Sequence, residues 1–200
     1  MKRTGLGIAL IIMSWLAGCV PPHSLHPIYT DQDVIFEPAL LGEWVGADPK
    51  QICTFSKSKG KAYRLKYENK DGESGNFVVH LVEINETMFL DLFPEKPNLP
   101  DAGLYKYHLL PVHTFFLVEQ IKPTLQTSFI ELDWLKELLK KNPKAIQHEQ
   151  INDMDDLIVL TASTRELQTF FVKHAKTEGA FGKPSEMTRK KLEVEKAETP

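Results

Sequence analysis

The sequence has very little cysteine: two residues, Cys19 and Cys53, in a chain of 200. That scarcity excludes a disulfide scaffold and any zinc site built from cysteine pairs. The seven histidines stand at positions 23, 26, 80, 108, 113, 148 and 174, and no two sit four apart on a predicted helix, so the spacing of a helical metal motif is missing as well. In the body of the chain no Gly-rich loop leads into a helix and no Gly-x-Ser-x-Gly elbow occurs, which removes the usual phosphate cradle and the usual serine nucleophile. The expectation is therefore no metal, no cofactor and no assigned catalytic residue. The net charge of −3, with no basic cluster in the body, also makes nucleic acid an unexpected partner. No apolar run reaches the roughly 20 residues that cross a bilayer as a helix.

The N-terminus is the most patterned part of the chain. Lys2 and Arg3 precede an apolar run from Leu6 to Leu16, followed by Ala17, Gly18 and Cys19. A cationic start, a short apolar stretch and small residues before a cut point are the three parts of a secretory signal. A permanent span is the rival reading, but Gly5 to Val20 is 16 residues long and Pro21 and Pro22 follow at once. Leu16-Ala17-Gly18-Cys19 resembles the lipobox of bacterial lipoproteins at all four positions. The resemblance implies cleavage before Cys19 and lipid attachment to its thiol, and two or more acyl chains suffice for stable anchoring. Val20, rather than Asp, would be the second mature residue, so the implied address is the outer membrane facing the periplasm.

On this reading residues 1–18 are a signal peptide, 19–36 a lipidated cysteine and Pro-containing tether, 37–182 a single β-rich domain with two helices, and 183–200 a disordered tail. Loss of Lys2 and Arg3 leaves 22 basic and 27 acidic side chains, a balance of −5. With Cys19 lipidated, Cys53 has no partner for a disulfide and is expected to be a small core residue.

Within the domain, Ala62–Glu68 alternates Tyr63, Leu65 and Tyr67 with Arg64, Lys66 and Glu68, the period of a half-buried strand. Further strands are predicted at Ile52–Phe55, Phe77–Ile84, Thr87–Phe93, Tyr105–Leu110, Thr114–Ile121, Thr124–Leu132 and Asp156–Thr161. Trp134–Lys141 is a predicted helix with Asp133 as its cap. A second helix follows the capping-box sequence Ser163-Thr164-Arg165-Glu166 and is expected to end at Gly179. Strands first, helices later and short connections argue for an α+β, mainly β fold: an antiparallel sheet or partly closed barrel packed by two helices. Gly42-x-Trp44 before a run of hairpins resembles the start of lipocalin-like barrels, which implies that Trp44 closes one barrel end.

Chemical candidates are sparse. Ser56-Lys57-Ser58-Lys59 has the Ser-x-x-Lys spacing of penicillin-recognising enzymes but lies between two predicted strands, and is read as a polar turn. Asp153, Asp155 and Asp156 lack the ligand pattern of a calcium loop and are read as a solvated acidic turn. His108 and His113 are expected to be histidines at the end of a sheet. The function expected is a membrane-anchored, non-enzymatic envelope module that binds a protein partner or an apolar ligand. The alternatives are carriage of an apolar ligand in a barrel cavity, or a periplasm-facing hydrolase with a dispersed site such as His113 with Glu119.

Overall fold

The strand Tyr63–Glu68 shows how this sequence builds its sheet. Tyr63 and Leu65 are buried and Arg64 and Lys66 are exposed, as their alternation predicts. The computed structural model describes residues 21–96, 103–151 and 157–190. Its strands are β1 (His23–Ser24), β2 (Val34–Ile35), β3 (Gly42–Val45), β4 (Ile52–Lys57), β5 (Tyr63–Glu68), β6 (Ser74–Ile84), β7 (Thr87–Pro94), β8 (Thr114–Gln120), β9 (Thr124–Ser128), β10 (His148–Ile151), β11 (Leu157–Leu160) and β12 (Ser185–Arg189). Two α-helices, α1 (Leu132–Lys141) and α2 (Thr164–His174), lie in the second half.

Eight strands form a closed antiparallel barrel in the order β6-β5-β4-β3-β12-β9-β8-β7, with β7 pairing back onto β6. The short β2 pairs with β6 at Leu81 and Val82, past the end of the β5–β6 pairing. A separate sheet, β1-β11-β10, carries the parallel pairing of β1 with β11. The mainly β fold with C-terminal helices that the sequence indicated is thus present, and the barrel is closed. The β6–β7 hairpin turns on Asn85 and Glu86, both at positive φ (48° and 63°), the conformation of a two-residue turn whose twist suits a hairpin.

Two apolar cores share the barrel wall. The inner one contains Trp44, Phe55, Tyr63, Leu65, Leu81 and Leu125 among others. The outer one lies between β6–β8 and the layer formed by α1, α2 and β11, and includes Val82, Phe89, Phe115, Leu135, Ile158 and Phe171. Each fully buried large apolar side chain contributes about 1.5–3 kcal/mol.

Several expectations require correction. The tether assigned to 19–36 is part of the folded body from residue 21 onward. Ile28 is fully buried, β1 pairs with β11, and β2 pairs with β6. Its partners stand far away in sequence, so the segment shows no local period. The tail assigned to 183–200 contains β12, which closes the barrel between β3 and β9. Its charged sequence follows from its position, with only Met187 partly buried. The predicted strand at Tyr105–Leu110 is instead a 3₁₀ helix over Gly103–His108. Helix α1 begins one residue before the expected cap Asp133, with Glu131 at the N-cap position. Helix α2 has its Ser163–Glu166 capping box but ends at His174, with Gly179 at φ 75° in the turns beyond it. Strand β10 had no counterpart among the predicted strands. Cys19, the residues read as a signal, the residues 153–156 read as an acidic turn, and residues 191–200 lie outside the described residues.

Candidate functional site

The middle parts of strands β6, β7 and β8 are covered on both faces and largely apolar, with exposed polar residues such as Glu83 and Glu119 toward the strand ends. Within those covered parts stand His80 and Asp91. They are opposed in the β6–β7 register and belong to the outer face of the barrel. Asp91 is completely buried, and burying a carboxylate is costly unless its oxygens are bonded. Both are. Oδ1 lies 2.6 Å from His113 Nδ1, and Oδ2 accepts the Ile28 backbone N–H at 2.9 Å.

The residues beside this pair complete a small cluster. The Tyr29 ring lies 4.2 Å from that of His80, and the Phe93 ring lies 4.5 Å from that of His113. His113 and Ser24 exchange backbone hydrogen bonds of 2.8 and 2.9 Å. Burial, with the negative charges of Asp91 and Asp31, pushes the Tyr29 hydroxyl up to about 12. Burial also lowers the His80 imidazole below the ordinary histidine value, helped by His113 and opposed by Asp91 and Asp31. Tyr29 and His80 are therefore uncharged at neutral pH.

An Asp–His pair is the arrangement that makes a histidine a general base, with the carboxylate fixing Nδ1–H and leaving Nε2 to take a proton. The third component, a hydroxyl or thiol nucleophile, is not supplied by Ser24, whose Oγ donates to the His26 carbonyl at 2.8 Å. The geometry instead makes the pair a clamp. Asp91 and His113 hold the 24–28 segment against the barrel, and α2 holds it from the other side. Thr164 Oγ1 donates to Pro27 O at 2.8 Å, and Gln168 Nε2 donates to Ile28 O at 2.9 Å and Asp33 Oδ2 at 2.8 Å. An open depression of about 600 Å³ lies beside this fastening, lined by His26, Thr30, Ser163, Thr164, Arg165 and Gln168.

The other sequence candidates are scattered. His113 and Glu119 are six residues apart, about 20 Å along an extended chain, and Glu119 is within 3.4 Å of the Ser128 hydroxyl, which donates to it. His113, expected to bond backbone or water at a sheet end, has Asp91 as its side-chain partner. His108 is exposed in the 3₁₀ helix, His148 lies 2.9 Å from Ile146 O, and His174 packs on Trp134 and Phe170. Among the described residues no group of three or more His, Cys, Asp or Glu is arranged to hold a metal. Cys53 is a free thiol packed against the inner core, and burial pushes it up to about 11, away from thiolate chemistry. Ser56 donates to the Arg64 carbonyl across the β4–β5 ladder, so Ser56-Lys57 completes a strand and does not open a helix.

The aromatic residues divide between the two cores. Trp44, Phe55 and Tyr63 fill the barrel interior, each at most 4% exposed, while Phe89, Phe115 and Phe171 pack edge to face outside it. The 3₁₀ turn Pro38–Leu40 packs Ala39 and Leu40 into the inner core, and the Leu40 carbonyl accepts the Trp44 indole N–H at 2.8 Å. The Arg189 guanidinium stacks 5.0 Å above the Trp44 ring and donates to the carbonyls of Ala39 and Leu41. Sequence reasoning missed Asp91, His80, Tyr29 and Arg189. The signal for the first two is an ionisable residue inside an apolar strand run; nothing local marks the others. The chain matches no family model, no curated protein and no solved structure.

Proposed function

We propose that this protein is an envelope lipoprotein, cut before Cys19, acylated there, and displayed on the periplasmic side of the outer membrane as a non-enzymatic binding module. The observation that carries the reading is the sequence Leu16-Ala17-Gly18-Cys19, which stands a few residues before Pro22 and Ser24, both buried in the folded body. The filled barrel supports recognition through outer surfaces and argues against carriage of an apolar ligand inside. The committed oxygens of Asp91 support a structural role for the buried pair, against the hydrolase reading.

Labelled palmitate tests the anchor. Wild-type protein takes up label, Cys19→Ser does not, and equal labelling of the two refutes the proposal. Native mass spectrometry of the extracted protein then tests the binding role. A bound protein supports it, whereas a stoichiometric apolar small molecule held by the barrel replaces it with the carrier reading.

A further inference from the structure

The segment between β7 and β8 is unusual for a surface connection. Leu104 is 74% exposed, Tyr105 63% and Leu110 70%, with Leu109 beside them at 38%. Large apolar side chains grouped in this way mark a surface that meets something apolar. The stretch Gly103–His113 contains Lys106 and no acidic residue, within a chain whose net charge is −3. Tyr at the edge of an apolar group with a nearby cation is the composition that settles at a membrane–water interface.

The position of this segment in the fold selects its partner. His113 closes it and is hydrogen-bonded, backbone to backbone, to Ser24. Leu25, 39% exposed, follows directly. Ser24 is five residues from Cys19, a reach of at most about 18 Å, and Leu110 is three residues from His113, at most about 11 Å. Because the body is already folded at residue 21, no long leash separates it from an acylated Cys19. We propose that Leu104, Tyr105, Leu109 and Leu110 form a second membrane contact: the domain rests on the bilayer that holds its lipid, with the leucines in the acyl boundary and Lys106 among the headgroups. This inference rests on the anchor reading above.

The test uses the full chain, processed and extracted with its own modification, in a Cys53→Ala background. Leu110→Cys carries an environment-sensitive fluorophore, and Lys140→Cys on the exposed face of α1 serves as the control site. Leu104→Cys repeats the measurement at a second exposed position. The proteins are reconstituted into phosphatidylethanolamine–phosphatidylglycerol vesicles bearing acyl-chain nitroxides, and intact mass reports acylation. The expected result is an acylated protein whose probes at 104 and 110 shift to the blue and lose emission to the nitroxide, while the probe at 140 keeps its emission. An acylated protein whose probes at 104 and 110 behave like the control overturns the membrane contact and leaves the anchor standing. Probes shielded from water yet untouched by the nitroxide overturn it in favour of a protein partner. An unacylated mass overturns the anchor and this contact together.

Discussion

Strands β4 and β5 and strands β6 to β8 belong to one barrel but solve different problems. The first pair buries a single face. Arg64 and Lys66 point to solvent, and the Arg64–Glu95 and Lys66–Glu68 ion pairs sit there at 2.9 and 3.1 Å. The second group is covered on both sides, by the barrel interior and by the helical layer. A polar side chain on β5 needs no partner, because water serves. Asp91 on β7 needs two, and one of them is a backbone amide 63 residues away. Two-sided burial thus converts isolated polar residues into long-range fasteners.

The largest expected effect that separates these regions comes from Phe171→Ala, which empties the centre of the outer core against Phe89 and Phe115. A cost of about 3–5 kcal/mol is expected in denaturant unfolding. Hydrogen exchange should show α2 losing protection while β4 and β5 keep theirs; uniform loss would make the two cores one cooperative unit.

Next in size is the contrast between Asp91→Ala and Arg64→Ala. Removing Asp91 strands the Ile28 N–H and His113, and breaking a buried pair costs about 3 kcal/mol or more. Its signature is faster exchange across residues 24–35. Removing Arg64, whose side chain is 53% exposed, should cost less than about 1 kcal/mol. Comparable urea midpoints for the two variants would break the distinction.

The smallest effect is on pH dependence. Burial lowers the folded-state value of His80 below the ordinary 6.5, so the folded chain binds that proton less tightly than the unfolded one. Its contribution to stability is whole above about pH 6.5 and is eroded as pH falls from there toward the folded value. His23 and His174, also lowered by burial, add to the same slope. Stability measured from pH 7 to pH 5 should therefore decline, and His80→Phe, which keeps a ring against Tyr29, should decline less steeply. An unchanged slope would remove His80 from the account.

Legibility in the sequence follows the same division. Strand β5 declares itself because one-sided burial imposes a period of two on six residues. Strands β6 to β8 are legible as strands from their aromatic and branched runs, but not as two-sided, because a continuous apolar run does not say what covers it. The segment 21–36 is illegible for a different reason. Ser24 pairs with Leu160 and His113, and Ile28 bonds to Asp91, so its order comes entirely from residues that no local window includes. Strand β12, Ser-Glu-Met-Thr-Arg, is disguised by having one partly buried side chain in five. The clamp shared these obstacles. His113 was visible as a candidate, while its partner Asp91 sat within what read as an ordinary strand.

Strand β12 also sets a constraint on how the molecule is made. It pairs with β3 on one side and β9 on the other, joining residues Trp44 and Val45 to Arg189 and Thr188. Until residue 189 has emerged, the ring is an open sheet with β3 and β9 as bare edges, each a row of unpaired amides and carbonyls able to recruit another chain. Contacts of such long sequence separation form late and slowly. The interval between synthesis of β9 and arrival of β12 is therefore when this chain is most exposed to aggregation, and when a holdase would matter most to its yield.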